Sequence, residues 1–143
     1  MPAPAVRVGT RDIGTQNEVG RVRMIRPGQR LWLSDKGEPV FGTGICDLLA
    51  GVEATGSLHR AAANMKMSYS KAWTIVQRAE GHLGFPLIER RVGGAEGGGS
   101  ALTDDGRWLM EAFRAWSSKV REASEDLFDE IFADRLQSHD PEG

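Results

Sequence analysis

Hydrophobic positions along this chain change their period repeatedly, and each change marks an element. Residues 1–28 (MPAPAVRVGTRDIGTQNEVGRVRMIRPG) scatter single apolar side chains with no period, the pattern of a flexible N-terminal arm. RLWLS (30–34) and EPVF (38–41) then alternate around Asp35-Lys36-Gly37, which predicts a short β-hairpin. From Gly44 to Ala54 the repeat lengthens, with Ile45, Leu48, Leu49 and Val52 at helical spacing and Thr55-Gly56 as the stop. Ser57 caps a short helix through Leu58, Ala61, Ala62 and Met65, whose small alanines admit a close neighbour. After a tight turn at Met65-Lys66-Met67, Ser68 caps a longer helix over 68–83, with Ala72, Val76, Ala79 and Leu83 on one buried stripe.

Downstream, FPLIER (85–90) and SALT (100–103) are short strand candidates on either side of a glycine-rich run, RRVGGAEGGGS at 90–100. Thr103 then caps a last helix, 104–135, with Asp104 and Asp105 where the helix dipole favours carboxylates. Along it Leu109, Phe113, Trp116, Val120, Ala123, Leu127 and Ile131 repeat close to every 3.5 residues, the seam of a helix that wants a partner helix. Such a helix can pack on 44–54 of its own chain. Some 30 residues reach about 45 Å, however, longer than a small domain needs, so a second copy of the chain is the expected partner and 136–143 a disordered tail.

Composition narrows the class. With 143 residues, 40% hydrophobic and 27% charged, the chain suits one ordinary globular domain, and no apolar run approaches the ~20 residues of a membrane span. The N-terminal residues lack the compact apolar run of a secretory signal, and the single cysteine, Cys46, forms no intramolecular disulfide, so a cytoplasmic protein is expected. Charge is divided along the chain: residues 58–110 hold 7 Lys and Arg against 5 Asp and Glu, whereas 111–143 hold 4 against 9. A positive middle with a negative end is compatible with a polyanion met by one face.

Two capped helices separated by a tight turn make a helix-turn-helix, and the second turns Ser70, Lys71, Thr74, Gln77 and Arg78 away from its buried stripe. This unit serves either as packing alone or as a reader of the DNA major groove. The glycine run is not a P-loop, because Gly99 is followed by Ser100-Ala101 with no lysine, nor a dinucleotide fingerprint, because SALT stands where a helix is required. A linker or a hairpin tip remains. As a tip, it brings backbone amides close to phosphate, with Arg90 and Arg91 at its base. His59, His82 and His139 share no metal-ligand spacing, and no paired carboxylates or nucleophile-base set occur, so neither an enzyme nor a metal or cofactor is expected.

Thr55-Gly56-Ser57, the alanines 61–63, Met67-Ser68-Tyr69, Ala72-Trp73, Glu89-Arg90, Gly93-Gly94, Gly97-Gly98-Gly99, Leu102-Thr103 and Gly106-Arg107 together carry a resemblance. From about Leu31 to Trp116, roughly 60% of the chain, the sequence resembles the N-terminal winged helix-turn-helix domain of the ModE-type molybdate-responsive transcriptional regulators, itself related to the LysR-type DNA-binding domain. The resemblance implies a mainly α fold with small β-hairpins: a winged helix-turn-helix over 29–103 followed by a long dimerisation helix, 104–135. It implies a homodimer that reads an inverted repeat in double-stranded DNA, with Ser68, Tyr69, Ser70, Lys71, Thr74 and Arg78 on the recognition helix. The wing would contribute Arg90, Arg91, Gly97, Gly98 and Ser100, and the dimer seam Leu109, Phe113, Trp116, Val120, Leu127 and Ile131.

Departures from the family pattern bear on what is recognised. Ser70 stands where the family often has a basic residue, the lysine following at 71, and Ala95-Glu96 occupies the tip, where a carboxylate beside phosphate is repulsive. The fuller regulators continue into a molybdate-binding domain, which this chain is expected to lack. That leaves room for a separate sensor protein, and for the alternative of a winged-helix module that binds such a partner rather than DNA. Trp73, beside the buried stripe, is expected to be a core wedge. Tyr69 is placed for a phosphate or thymine methyl, and arginines 7, 11, 21, 23 and 26 read as an untethered tail.

Overall fold

A computed structural model describes residues 25–92 and 99–137. Arg7, Arg11, Arg21, Arg23, the wing-tip positions Gly97 and Gly98, Glu96 and His139 therefore lie outside the described residues. Two units divide the chain, Leu31–Trp116 and a second comprising 1–30 with 117–143.

The larger unit begins with β1 (Trp32–Asp35) paired antiparallel to β2 (Glu38–Gly42). Asp35 pairs with Glu38, leaving a two-residue turn in which Lys36 and Gly37 both take positive φ, 53° and 83°, as a hairpin matched to the right-handed strand twist requires. A bulge between Leu33 and Ser34 lets the adjacent residues Val40 and Phe41 both be buried. Next, α1 (Thr43–Thr55) buries Cys46, Leu48, Leu49 and Val52 and ends on Gly56, whose left-handed backbone returns its amide to the Val52 carbonyl. Ser57 caps α2 (Leu58–Asn64) by accepting from the Arg60 amide at 3.0 Å. The predicted close neighbour of its alanines is α1: a Cβ on Gly51 would lie 2.9 Å from that of Ala61.

Ser68 caps α3 (Tyr69–Leu83) from the Lys71 amide at 3.1 Å, and Ala72, Val76 and Ala79 form its buried stripe. Following Gly84, β3 (Ile88–Arg91) pairs antiparallel with β4 (Gly99–Leu102), placing Arg90 opposite Ser100 and Arg91 opposite Gly99. β3 is shorter than FPLIER suggests and begins three residues later, whereas β4 keeps the length of SALT and is shifted by one residue. Pro86 cannot donate to a ladder, and the Leu87 amide is taken by a side chain of α3. Thr103 closes the wing onto the last helix, α4 (Asp104–Gln137): its hydroxyl donates to the Pro86 carbonyl and accepts from the Gly106 amide, both at 2.8 Å.

One hydrophobic core joins these elements, with Phe41, Leu48, Leu49, Leu58 and Leu87 fully buried. The first turns of α4 complete it. Leu109 and Phe113, expected in a seam facing a second copy, are 5% and 4% exposed within this chain, and Phe113 packs edge-on against Phe41 with ring centroids 5.3 Å apart. A period of 3.5 residues records that a helix face is covered, not by which chain, and here the chain's own hairpin and α1 cover it. Trp116, at 38%, is exposed.

In the second unit the remaining turns of α4 extend to Gln137, two residues past the expected end. Phe128 is buried, and its ring stacks on Phe132 at 5.2 Å. Arg26, read from sequence as part of an untethered tail, lies 5.1 Å from the Phe128 ring centroid and 3.0 Å from the Asp129 carboxylate. Val120 is half-buried, whereas Leu127 and Ile131 are exposed. Among the described residues, no helix is long and apolar enough to cross a membrane.

Candidate nucleic-acid interface

The side of α3 opposite Ala72, Val76 and Ala79 is set by its turn of about 3.6 residues, which carries Ser70, Thr74, Gln77 and Gly81 outward. All four are exposed. Tyr69, Trp73 and Glu80 fall on one flank, and Lys71, Arg78 and His82 on the other. Each flank is tied to a different hairpin. On the first, Glu80 Oε2 accepts from the Leu87 amide at 2.7 Å and the Ile88 amide at 3.3 Å, which fixes the start of the wing. On the second, His82 reaches Asp35 at 2.9 Å and Glu38 at 3.3 Å, beside the turn of β1–β2. The outward strip is thus presented between two β-hairpins by a helix held at its C-terminal end from both sides.

The predicted contact residues divide accordingly. Ser68 is spent as a cap, so its hydroxyl positions the helix. Ser70, Lys71 and Thr74 face solvent, although the Thr74 hydroxyl donates to the Ser70 carbonyl at 3.0 Å and must give up that bond to donate elsewhere. Arg78 lies 3.7 Å from Glu38 on the hairpin, an exposed pair that contributes little to stability but partly neutralises the cation. Arg90 and Arg91 are exposed on β3.

The base of the wing is fastened to the helix-turn-helix. Ser100 donates its amide to the Gly56 carbonyl at 2.9 Å, and a Cβ on Gly99 would come within 2.7 Å of that oxygen, so this approach requires glycine. Between α3 and the wing lies a groove of about 300 Å³, lined among others by Ser57, His59, Tyr69, Trp73, Arg90 and Ser100. Trp73 is therefore not the core wedge expected from its place beside the buried stripe. It is 39% exposed and lies one turn along the same flank from Tyr69, whose ring stacks on His59 at 5.1 Å. The four-residue spacing of Tyr69 and Trp73 is the sequence signal for this groove; His59 enters it only through tertiary packing. Among the described residues, no three His, Cys, Asp or Glu side chains are grouped as metal ligands.

Residues 47–107 match the model of the bacterial regulatory helix-turn-helix proteins of the lysR family. The chain is 34% identical to the molybdenum transport protein ModE of Azotobacter vinelandii over 94 residues, which cover 63% of this chain and 35% of the relative. It is 38% identical to the transcriptional regulator ModE of Haemophilus influenzae over 66 residues, 46% of this chain and 26% of the relative. Over 73 residues, 51% of this chain and 27% of the relative, it is 40% identical to the molybdenum-pterin-binding protein MopB of Rhodobacter capsulatus. The aligned stretches thus span about a third or less of these curated relatives.

Proposed function

We propose that this chain is a DNA-binding transcriptional regulator of ModE type, a reading supported by the match of residues 47–107 to the lysR-family helix-turn-helix model and by the similarity to ModE proteins. It reads an inverted repeat as a homodimer, with α3 in the major groove and the glycine-rich wing on flanking backbone. The observation that carries this reading is the exposed strip Ser70, Thr74 and Gln77 with Lys71 beside it, on a helix anchored at its far end by Glu80 and His82. Short hydrogen-bonding side chains on a rigid helix are what base edges in the major groove accept, and a flanking cation adds phosphate attraction.

Pairing of two copies is assigned to α4 beyond the core, where Leu127, Ile131 and Phe132 remain 53%, 66% and 48% exposed. The names of the relatives direct attention to genes that handle molybdenum. Selection of bound duplexes from a random pool should recover an inverted repeat, bound ~10³-fold or more tightly than random DNA, with affinity falling steeply as salt rises. Genomic footprinting should place such sites beside genes for molybdate transport or molybdoenzymes. Sequence-blind or salt-independent binding would refute the reading, as would undiminished function of Lys71→Glu with Arg78→Glu; the latter is the behaviour of a module that meets a protein partner.

A further inference from the structure

We propose that the groove between α3 and the wing seats one sugar-phosphate strand of duplex DNA, with a deoxyribose packed on Trp73 and Tyr69 and its phosphate met by Arg90. The inference deepens the DNA-reading proposal above and rests on it. With α3 in the major groove and the wing on flanking backbone, as proposed above, the strand that borders the major groove has to pass between α3 and the β3–β4 hairpin. The surface between α3 and β3–β4 is this groove, of about 300 Å³.

Its shape is set by the protein rather than by whatever enters it. The Ser100 amide holds the Gly56 carbonyl at 2.9 Å on one wall, and the stacked rings of Tyr69 and His59, 21° from parallel, form part of the other. Glu89 lines the groove as well as Arg90, so the formal charge of its lining is close to balanced. Coulomb attraction alone therefore does not select the occupant. Two half-exposed aromatic side chains offer apolar area to the sugar, the uncharged part of a nucleic-acid strand, and the Arg90 guanidinium can donate hydrogen bonds to the phosphate next to it. Such a seat fixes register and depth without reading a base, so it contributes affinity to every duplex alike.

The test uses the full chain, a duplex enriched from a random pool and a shuffled version of it. Trp73→Ala should weaken both duplexes about tenfold, as expected for one lost apolar contact, while Trp73→Phe retains most of the affinity and a fresh selection with either variant returns the same base preferences. Phosphate-ethylation interference should show one position per half-site that matters to the unaltered chain and no longer matters to Arg90→Ala, whose salt slope falls by about 1. Melting temperatures of all three variants, read beside the binding data, separate loss of contact from loss of fold. A changed base preference at a single position in Trp73→Ala would make Trp73 a reader of a base edge and overturn the proposal, as would unchanged affinity for both duplexes. If the unaltered chain enriches no duplex at all, the regulator reading itself fails; enrichment with an indifferent Trp73→Ala removes only the seat.

Discussion

Replacing Glu80 tests how the wing is held in place. Its Oε2 accepts from the Leu87 amide at 2.7 Å and the Ile88 amide at 3.3 Å, just where the chain leaves Gly84 and enters β3. Leu87 is fully buried, and its carbonyl is already engaged by the Thr103 amide at 3.0 Å, so its peptides are not free to turn toward water. In Glu80→Ala the Leu87 donor loses its acceptor. A hydrogen bond to a charged acceptor contributes about 1.5–3 kcal/mol, and leaving a buried donor unpaired costs about 1–3 kcal/mol, two measures of one loss that are not to be summed. The longer bond to Ile88 adds little, and alanine returns a few tenths of a kcal/mol in helix propensity. The expected loss is about 2 kcal/mol, or roughly 8–16 °C in Tm for a unit of this size. Glu80→Gln keeps an acceptor oxygen without the charge and should lose about half as much. Thermal unfolding followed by circular dichroism, with urea titration as a second measure, provides the comparison. A Tm for Glu80→Ala within about 2 °C of the unaltered chain, or a glutamine variant as unstable as the alanine one, would refute the bracing role.

Three further substitutions address the same unit. Gly106→Ala drives a methyl group into the Leu87 carbonyl and should cost about 2 kcal/mol or more in urea unfolding, because the obstacle is backbone that cannot swing aside. Gly81 is the opposite case: a Cβ there meets nothing within 4 Å in the interior of α3, so Gly81→Ala should raise stability by about 0.5–1 kcal/mol in the same titration. Burial pushes the Cys46 thiol above its ordinary pKa, which means the folded chain holds that proton more tightly than the unfolded one. Its contribution is therefore complete below the ordinary thiol pKa and lost as pH climbs through the folded value; Cys46→Ala should flatten that alkaline decline, and a thiol reagent should label Cys46 only as fast as the protein opens.

Where a boundary is set by local backbone chemistry, the sequence alone locates it. Ser57, Ser68 and Thr103 each announce a helix start because a short side-chain oxygen satisfies amides that have no other partner, and Lys36-Gly37 announces a turn because both residues must take positive φ. The outward strip of α3 is legible for a similar reason, since a buried stripe at helical spacing determines the opposite side. Bracing is not legible. His82 meets Asp35 across 47 residues of sequence, and nothing in either neighbourhood signals that the two will be 2.9 Å apart.

The same distinction explains why Trp73 and the start of α4 differ from expectation. A large apolar side chain at the edge of a buried stripe is covered or exposed according to where the next element lies, and for Trp73 that element is the wing, fastened one step away through Gly56 and Ser100. For Leu109 and Phe113 the cover is intramolecular, because Gly106 lets α4 approach the Leu87 backbone so closely that the following turns fall onto Phe41 and α1. A heptad-like repeat that begins inside a core and continues past it is covered at its start and leaves Leu127 and Ile131 exposed further on. If the chain pairs as proposed, Leu127, Ile131 and Phe132, which stay exposed beyond the core, are the side chains to carry the contact, and Ile131→Asp should yield a monomer in sedimentation with the Leu31–Trp116 unit still folded. A dimer that survives Ile131→Asp together with Leu127→Asp would place the interface elsewhere.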